Sequence, residues 1–71
     1  MNKHLEEHYR DLHISIEATQ TQAGWYWSYL IDGRVQAVGS LGLLPSAAIA
    51  LRQGSTAAQA RVDELKRKGW R

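Results

Sequence analysis

The sequence predicts an α+β fold, a three-stranded antiparallel sheet with one C-terminal helix packed on one face. Three observations predict it. Residues 12–19 alternate apolar and polar side chains, residues 25–31 are dense in aromatic and branched residues and run into Asp32-Gly33, and residues 47–68 carry apolar positions at spacings of three and four. A period of two marks a half-buried strand, and a period near 3.6 marks an amphipathic helix. A chain of 71 residues forms one domain. At that size only about 60% of the unfolded surface is buried, so a protein partner or a homodimer is expected. The shares of hydrophobic (44%) and charged (23%) residues are those of a globular chain and exclude a disordered one.

Residues 1–8 are polar and aperiodic, which predicts a flexible lead-in, with the domain at 9–69 and a short tail at 70–71. In the first strand Leu12, Ile14, Ile16 and Ala18 take one face, and His13, Ser15, Glu17 and Thr19 the other. Thr19 to Gly24 reads as a loop. In the second strand Trp25, Trp27 and Tyr29 share one face, with Tyr26, Ser28 and Leu30 on the other. Asp32-Gly33 marks a hairpin turn, and Val35 to Leu41 reads as the returning strand. A two-residue loop would set Gln36 and Ser40 beside the tryptophans. A three-residue loop pairs Leu30 with Arg34 and sets Val35, Ala37 and Gly39 opposite Tyr29, Trp27 and Trp25. Because a one-residue slip exchanges the faces, the wholly apolar face favours the second register.

Gly42 to Pro45 ends the strand, and Ser46 is placed to cap a helix over Ala47–Lys68. Its stripe is Ala47, Leu51, Gly54, Ala58, Val62 and Leu65. Glycine costs about 1 kcal/mol against alanine in a helix. The stripe nevertheless passes through Gly54, which predicts close approach of the helix backbone to an indole ring. A break into two helices with Ser55 capping the second is the alternative. Gly69 suits a left-handed cap with Trp70 folding back. The expected core is Leu12, Ile14, Ile16, Trp25, Trp27, Tyr29, Val35 and Ala37, closed by Leu51, Ala58, Val62 and Leu65.

Three segments carry a resemblance. Tyr9-Arg10-Asp11-Leu12-His13-Ile14, the Gly24–Gly33 stretch with its Gly-Trp-x-Trp start, and Ala50–Asp63 with the form Ala-x3-Gly-x3-Ala-x3-Val-Asp resemble a group of small proteobacterial β-β-β-α proteins without an assigned activity. The resemblance spans roughly residues 9–65 and rests on core and turn positions, so it implies a fold and no activity. The element order is also similar to the HicB antitoxin domain and to double-stranded-RNA-binding domains. The first is matched only at Leu44-Pro45. The second departs at the helix start, where lysines are replaced by Ser46-Ala47-Ala48.

The residues offer little chemistry. Without cysteine there is neither a disulfide scaffold nor a thiolate site. The apolar runs are far shorter than the roughly 20 residues of a membrane span, and the first residues lack the pattern of a secretory signal, so a cytoplasmic protein without a membrane partner is expected. His4 and His8, with His13 or Glu7, could hold zinc on a helix, but on a solvated lead-in they form no site. His13 and Ser15 share a side of an open sheet without the sheltered pocket that acid–base catalysis needs. Gly39-Ser40-Leu41-Gly42 lacks the lysine and spacing of a phosphate loop. No catalytic residue, metal or cofactor is therefore expected, and the chain reads as a non-enzyme.

What is left is a surface. Covering one face with the helix leaves Tyr26, Leu30 and Val38, with Arg34 near them, as a possible partner-contact face. The alternative is nucleic-acid binding through that face and the basic C-terminus, Lys66, Arg67, Lys68 and Arg71. A net charge of only +2 is modest for that role, and basic residues at a helix end already complement the helix dipole.

Overall fold

A computed structural model describes residues 2–39 and 43–70. It has an antiparallel sheet with one C-terminal helix, and the sheet has four strands rather than three. The strands are β1 (Asn2–Tyr9), β2 (Leu12–Thr21), β3 (Gly24–Ile31) and β4 (Val35–Val38), in spatial order β1-β2-β3-β4; α1 (Ala47–Arg67) follows. Residues 2–8, expected as part of a flexible lead-in, pair with β2 together with Tyr9, from Asn2 opposite Thr19 to Tyr9 opposite Leu12. An edge strand needs a partner on one side only, so it tolerates the polar composition that hides β1 in the sequence. Arg10 and Asp11 make the connection with φ of 52° and 70°. That is the conformation of a tight hairpin turn, reached here without the glycine that usually announces one.

β2 continues to Thr21, so the expected loop from Thr19 to Gly24 shrinks to Gln22-Ala23. The Thr21 hydroxyl holds this turn, donating to the Gly24 carbonyl at 2.9 Å and accepting the Ala23 N–H at 3.2 Å. In the β3–β4 hairpin Ile31 pairs with Val35 and Tyr29 with Ala37. The expected faces are correct, but the expected pairing of Leu30 with Arg34 is displaced by two residues. Burial explains it. Ile31 is fully buried opposite Ile14, and placing it in the loop would withdraw it from the core. Asp32 and Gly33, both at positive φ, turn the chain instead. β4 ends at Val38, short of the expected Leu41; Ser40 and Leu41 lie outside the described residues. Gly39 N–H still donates to the Trp27 carbonyl at 2.8 Å, and Leu44 pairs with Trp25 as an isolated bridge.

Ser46 caps α1, its hydroxyl accepting the Ile49 N–H at 3.2 Å. The helix runs unbroken through Gly54, and its buried line is Ala50, Gly54, Ala58 and Val62. Ala50 takes the deep position expected for Ala47 and Leu51, which flank it half-buried. A Cβ on Gly54 would stand 2.8 Å from Ile16 Cγ2 and 3.1 Å from Trp27 Cβ, so the helix backbone lies directly on β2 and β3. Small residues every fourth position permit that approach. The central core joins Leu12, Ile14, Ile16, Tyr29, Ile31, Ala58 and Val62, with Trp27, Val35, Ala37, Leu51 and Leu65 against it. Trp25, expected in the core, is half-buried outside this cluster, at the sheet end beside Leu44.

At the other end of α1, Gly69 adopts φ of 89°. Trp70 N–H donates to the Leu65 carbonyl and Gly69 N–H to that of Lys66, the bond pair that closes a helix with a left-handed glycine. Trp70 therefore packs against the core rather than forming a tail.

Candidate functional surface

The helix lies over β1, β2 and β3 on one side, leaving the other side of the sheet uncovered. Strand alternation and register give this open face an ordered pattern. Across it run the rows Asn2–Thr19–Tyr26, His4–Glu17–Ser28–Val38 and Glu6–Ser15–Leu30–Gln36, with His8 beside His13 at one end. The β1–β2 half is thus imidazole and carboxylate, and the β3–β4 half is largely apolar. Leu30 is 37% exposed and Val38 is 59% exposed. Between the halves Ser15, Glu17, Ser28, Leu30, Gln36 and Val38 line an open depression of about 520 Å³.

All three histidines of the chain stand on this face. His13 is expected there from alternation, whereas the reading of residues 1–8 as a lead-in hides His4 and His8. Once 2–9 form a strand, the even numbers 4, 6 and 8 place His4, Glu6 and His8 on one side. The Glu6 carboxylate bridges two rings, His4 Nε2 at 2.7 Å on one oxygen and His13 Nε2 on the other. His8 and His13 face each other with centroids 5.2 Å apart. The hydrogen bond with His4, then that with His13, holds the Glu6 carboxyl below the usual carboxylate range. Lys68 and Arg61 do the same for Glu64 by charge. Carboxyls lowered in the folded state stabilise it above the ordinary carboxylate range, and that contribution is lost as pH falls through their native values. The urea midpoint is therefore expected to drop on acidification below the carboxylate range, and less steeply in E6Q. A parallel fall in both proteins counts against the bridge.

Of the expected contact residues, Tyr26, Leu30 and Val38 do share the open face. Arg34 does not join them. Its guanidinium lies over the Trp70 ring, 4.3 Å from the centroid, tying the β3–β4 turn to the chain end. Lys66, Arg67 and Lys68 sit at the end of α1, in the layer opposite the open face, with Lys68 Nζ 3.6 Å from Glu64; Arg71 lies outside the described residues. The two parts of the nucleic-acid reading thus occupy different layers.

On the helix side, Tyr9 donates to Asp63 at 3.0 Å and Arg10 donates to the same carboxylate at 3.0 Å. Glu7 accepts from Ser55 and Gln59. These contacts clamp β1 to the helix. Trp27 lies stacked on Tyr29, with ring centroids 5.8 Å apart, and is covered by Gly54 and Gly39. A Cβ on Gly39 would fall 2.5 Å from the indole, so the ring is wedged between two backbones and is no stacking platform for a base. Among the described residues no charged or polar side chain is buried, and no group of three or more His, Asp or Glu stands ready to hold a metal ion. No protein-family model, curated protein or solved structure matches the chain.

Proposed function

We propose that the chain is a non-enzymatic interaction module that binds a protein partner, or a second copy of itself, through the open face of its sheet. One observation carries this: Leu30 and Val38 project from an uncovered sheet face beside a depression, with Tyr26 nearby. Apolar groups rimmed by polar ones on one face are the usual mark of a protein contact. Nucleic acid is the weaker reading, since Glu6 and Glu17 stand where phosphate would approach and the basic helix end lies in the other layer. No helix among the described residues is long and apolar enough to cross a membrane. A cytoplasmic setting belongs to the proposal. So does kinship with the small proteobacterial group, which rests on the sequence segments 9–14, 24–33 and 50–63.

Site-specific photocrosslinking in living cells tests the reading. A benzophenone amino acid at Val38 is expected to give discrete protein adducts, whereas one at exposed Gln53 on the helix is not. An adduct of twice the chain mass identifies a homodimer. Adducts from position 53 alone, or from neither position, defeat the proposal.

A further inference from the structure

We infer that the open face takes a cationic–aliphatic protein segment, one that presents Lys or Arg beside branched aliphatic side chains. The inference rests on the protein-binding reading above and adds the sign and spacing of the partner.

The charges of the face carry it. Its carboxylates are Glu6 and Glu17, and among the described residues it has no lysine or arginine. Lys3 lies on the helix side of β1, Arg10 is bound to Asp63, and Arg34 is stacked on Trp70. Glu6 is occupied by two imidazoles, whereas among the described residues Glu17 meets only the Asn2 amide, at 3.1 Å, and it stands on the wall of the depression. Glu17, Ser28 and Val38 occupy one row, which places the carboxylate and the exposed valine two strands apart, about 10 Å. Leu30 lies one row over and between them. In an extended segment, residues two apart project to the same side about 7 Å from each other. A cation can therefore reach Glu17 while the next same-side residue rests on Leu30 and Val38.

The same charges disfavour the other occupants. Two copies paired face to face would bring the Glu17 carboxylates into one interface with no lysine or arginine among the described residues of either face, the Glu6 carboxylates being held by their own histidines, and juxtaposed like charges oppose docking. A phosphate backbone meets the same two carboxylates.

The test uses the full chain, labelled with ¹⁵N, and two acetylated pentapeptides that put the charge and the aliphatic groups on one side, Lys-Ser-Val-Ser-Val and Glu-Ser-Val-Ser-Val, at up to roughly millimolar concentration. The lysine peptide is expected to shift the amides of Ser15, Glu17, Ser28, Leu30, Gln36 and Val38. E17K, which changes an exposed side chain, is expected to weaken this at least about tenfold while keeping a dispersed spectrum, with E17Q between. Binding should also weaken as salt is raised. If the glutamate peptide shifts the same amides equally, the sign is overturned while docking on the open face stands. If the lysine peptide shifts only helix amides, the cationic partner on the open face is overturned. If neither peptide shifts any amide, the cationic partner is overturned, and the crosslinks from position 38 decide the broader reading separately.

Discussion

Gly54→Leu is expected to lower stability by about 3 kcal/mol or more. A chain of this size has roughly 4–10 kcal/mol in all, so the variant should stand near its unfolding limit. The reason is local. A Cβ alone would already stand 2.8 Å from Ile16 Cγ2, on a side chain with no exposed surface, and 3.1 Å from Trp27 Cβ, one bond from the β3 backbone. Neither neighbour is the free end of a flexible side chain, so relief requires the helix to lift from the sheet. Gly54→Ala sets two effects against each other. Alanine gains about 1 kcal/mol of helix propensity, and overpacking costs about 1–3 kcal/mol. The net expectation is mild destabilisation. Urea unfolding followed by tryptophan fluorescence measures both. An unchanged midpoint in the leucine variant would refute the close contact of helix and sheet.

Removing residues 1–9 is expected to lower the thermal midpoint by on the order of 10 °C, or to leave the chain unfolded. The loss reaches beyond the β1 ladder. Tyr9 leaves the core margin, Asp63 loses its phenol donor, and the hydroxyl of Ser55 and the amide of Gln59 lose the Glu7 carboxylate. β2 would then become an edge, with the flanks of Ile14 and Ile16 opened to water. Circular dichroism melting of the shortened and full chains decides the matter. Equal melting would mean that β1 behaves as the dispensable lead-in that the composition of residues 1–8 advertises.

The contrast between β1 and β2 shows what the amino-acid order can reveal. β2 is legible because Leu12, Ile14, Ile16 and Ala18 alternate without exception, each buried on the helix side. On the same side β1 presents Lys3, Leu5, Glu7 and Tyr9, where only two of four are apolar. Its attachment depends on polar partners 48 to 54 residues away in sequence, which no local pattern shows. Its turn is equally silent, because Arg10-Asp11 takes a left-handed path without glycine. Gly54 was legible because a helix breaker in an unbroken stripe requires a close neighbour. The candidate surface was half legible. Tyr26, Leu30, Val38 and His13 follow from alternation, whereas Glu6, His4 and His8 appear on it only once β1 is a strand. Arg34 misled because a long side chain in a turn can reach either layer, and the aromatic ring that attracts it sits at the far end of the chain.

Each strand pairs with the strand next to it in the chain, so the sheet is a plain meander. No strand has to wait for a distant stretch of polypeptide before it finds a mate, and each closure costs only the small entropy of a short loop. Assembly can therefore proceed in the order of synthesis, with the helix, made after the strands, arriving as a lid on a sheet already laid down.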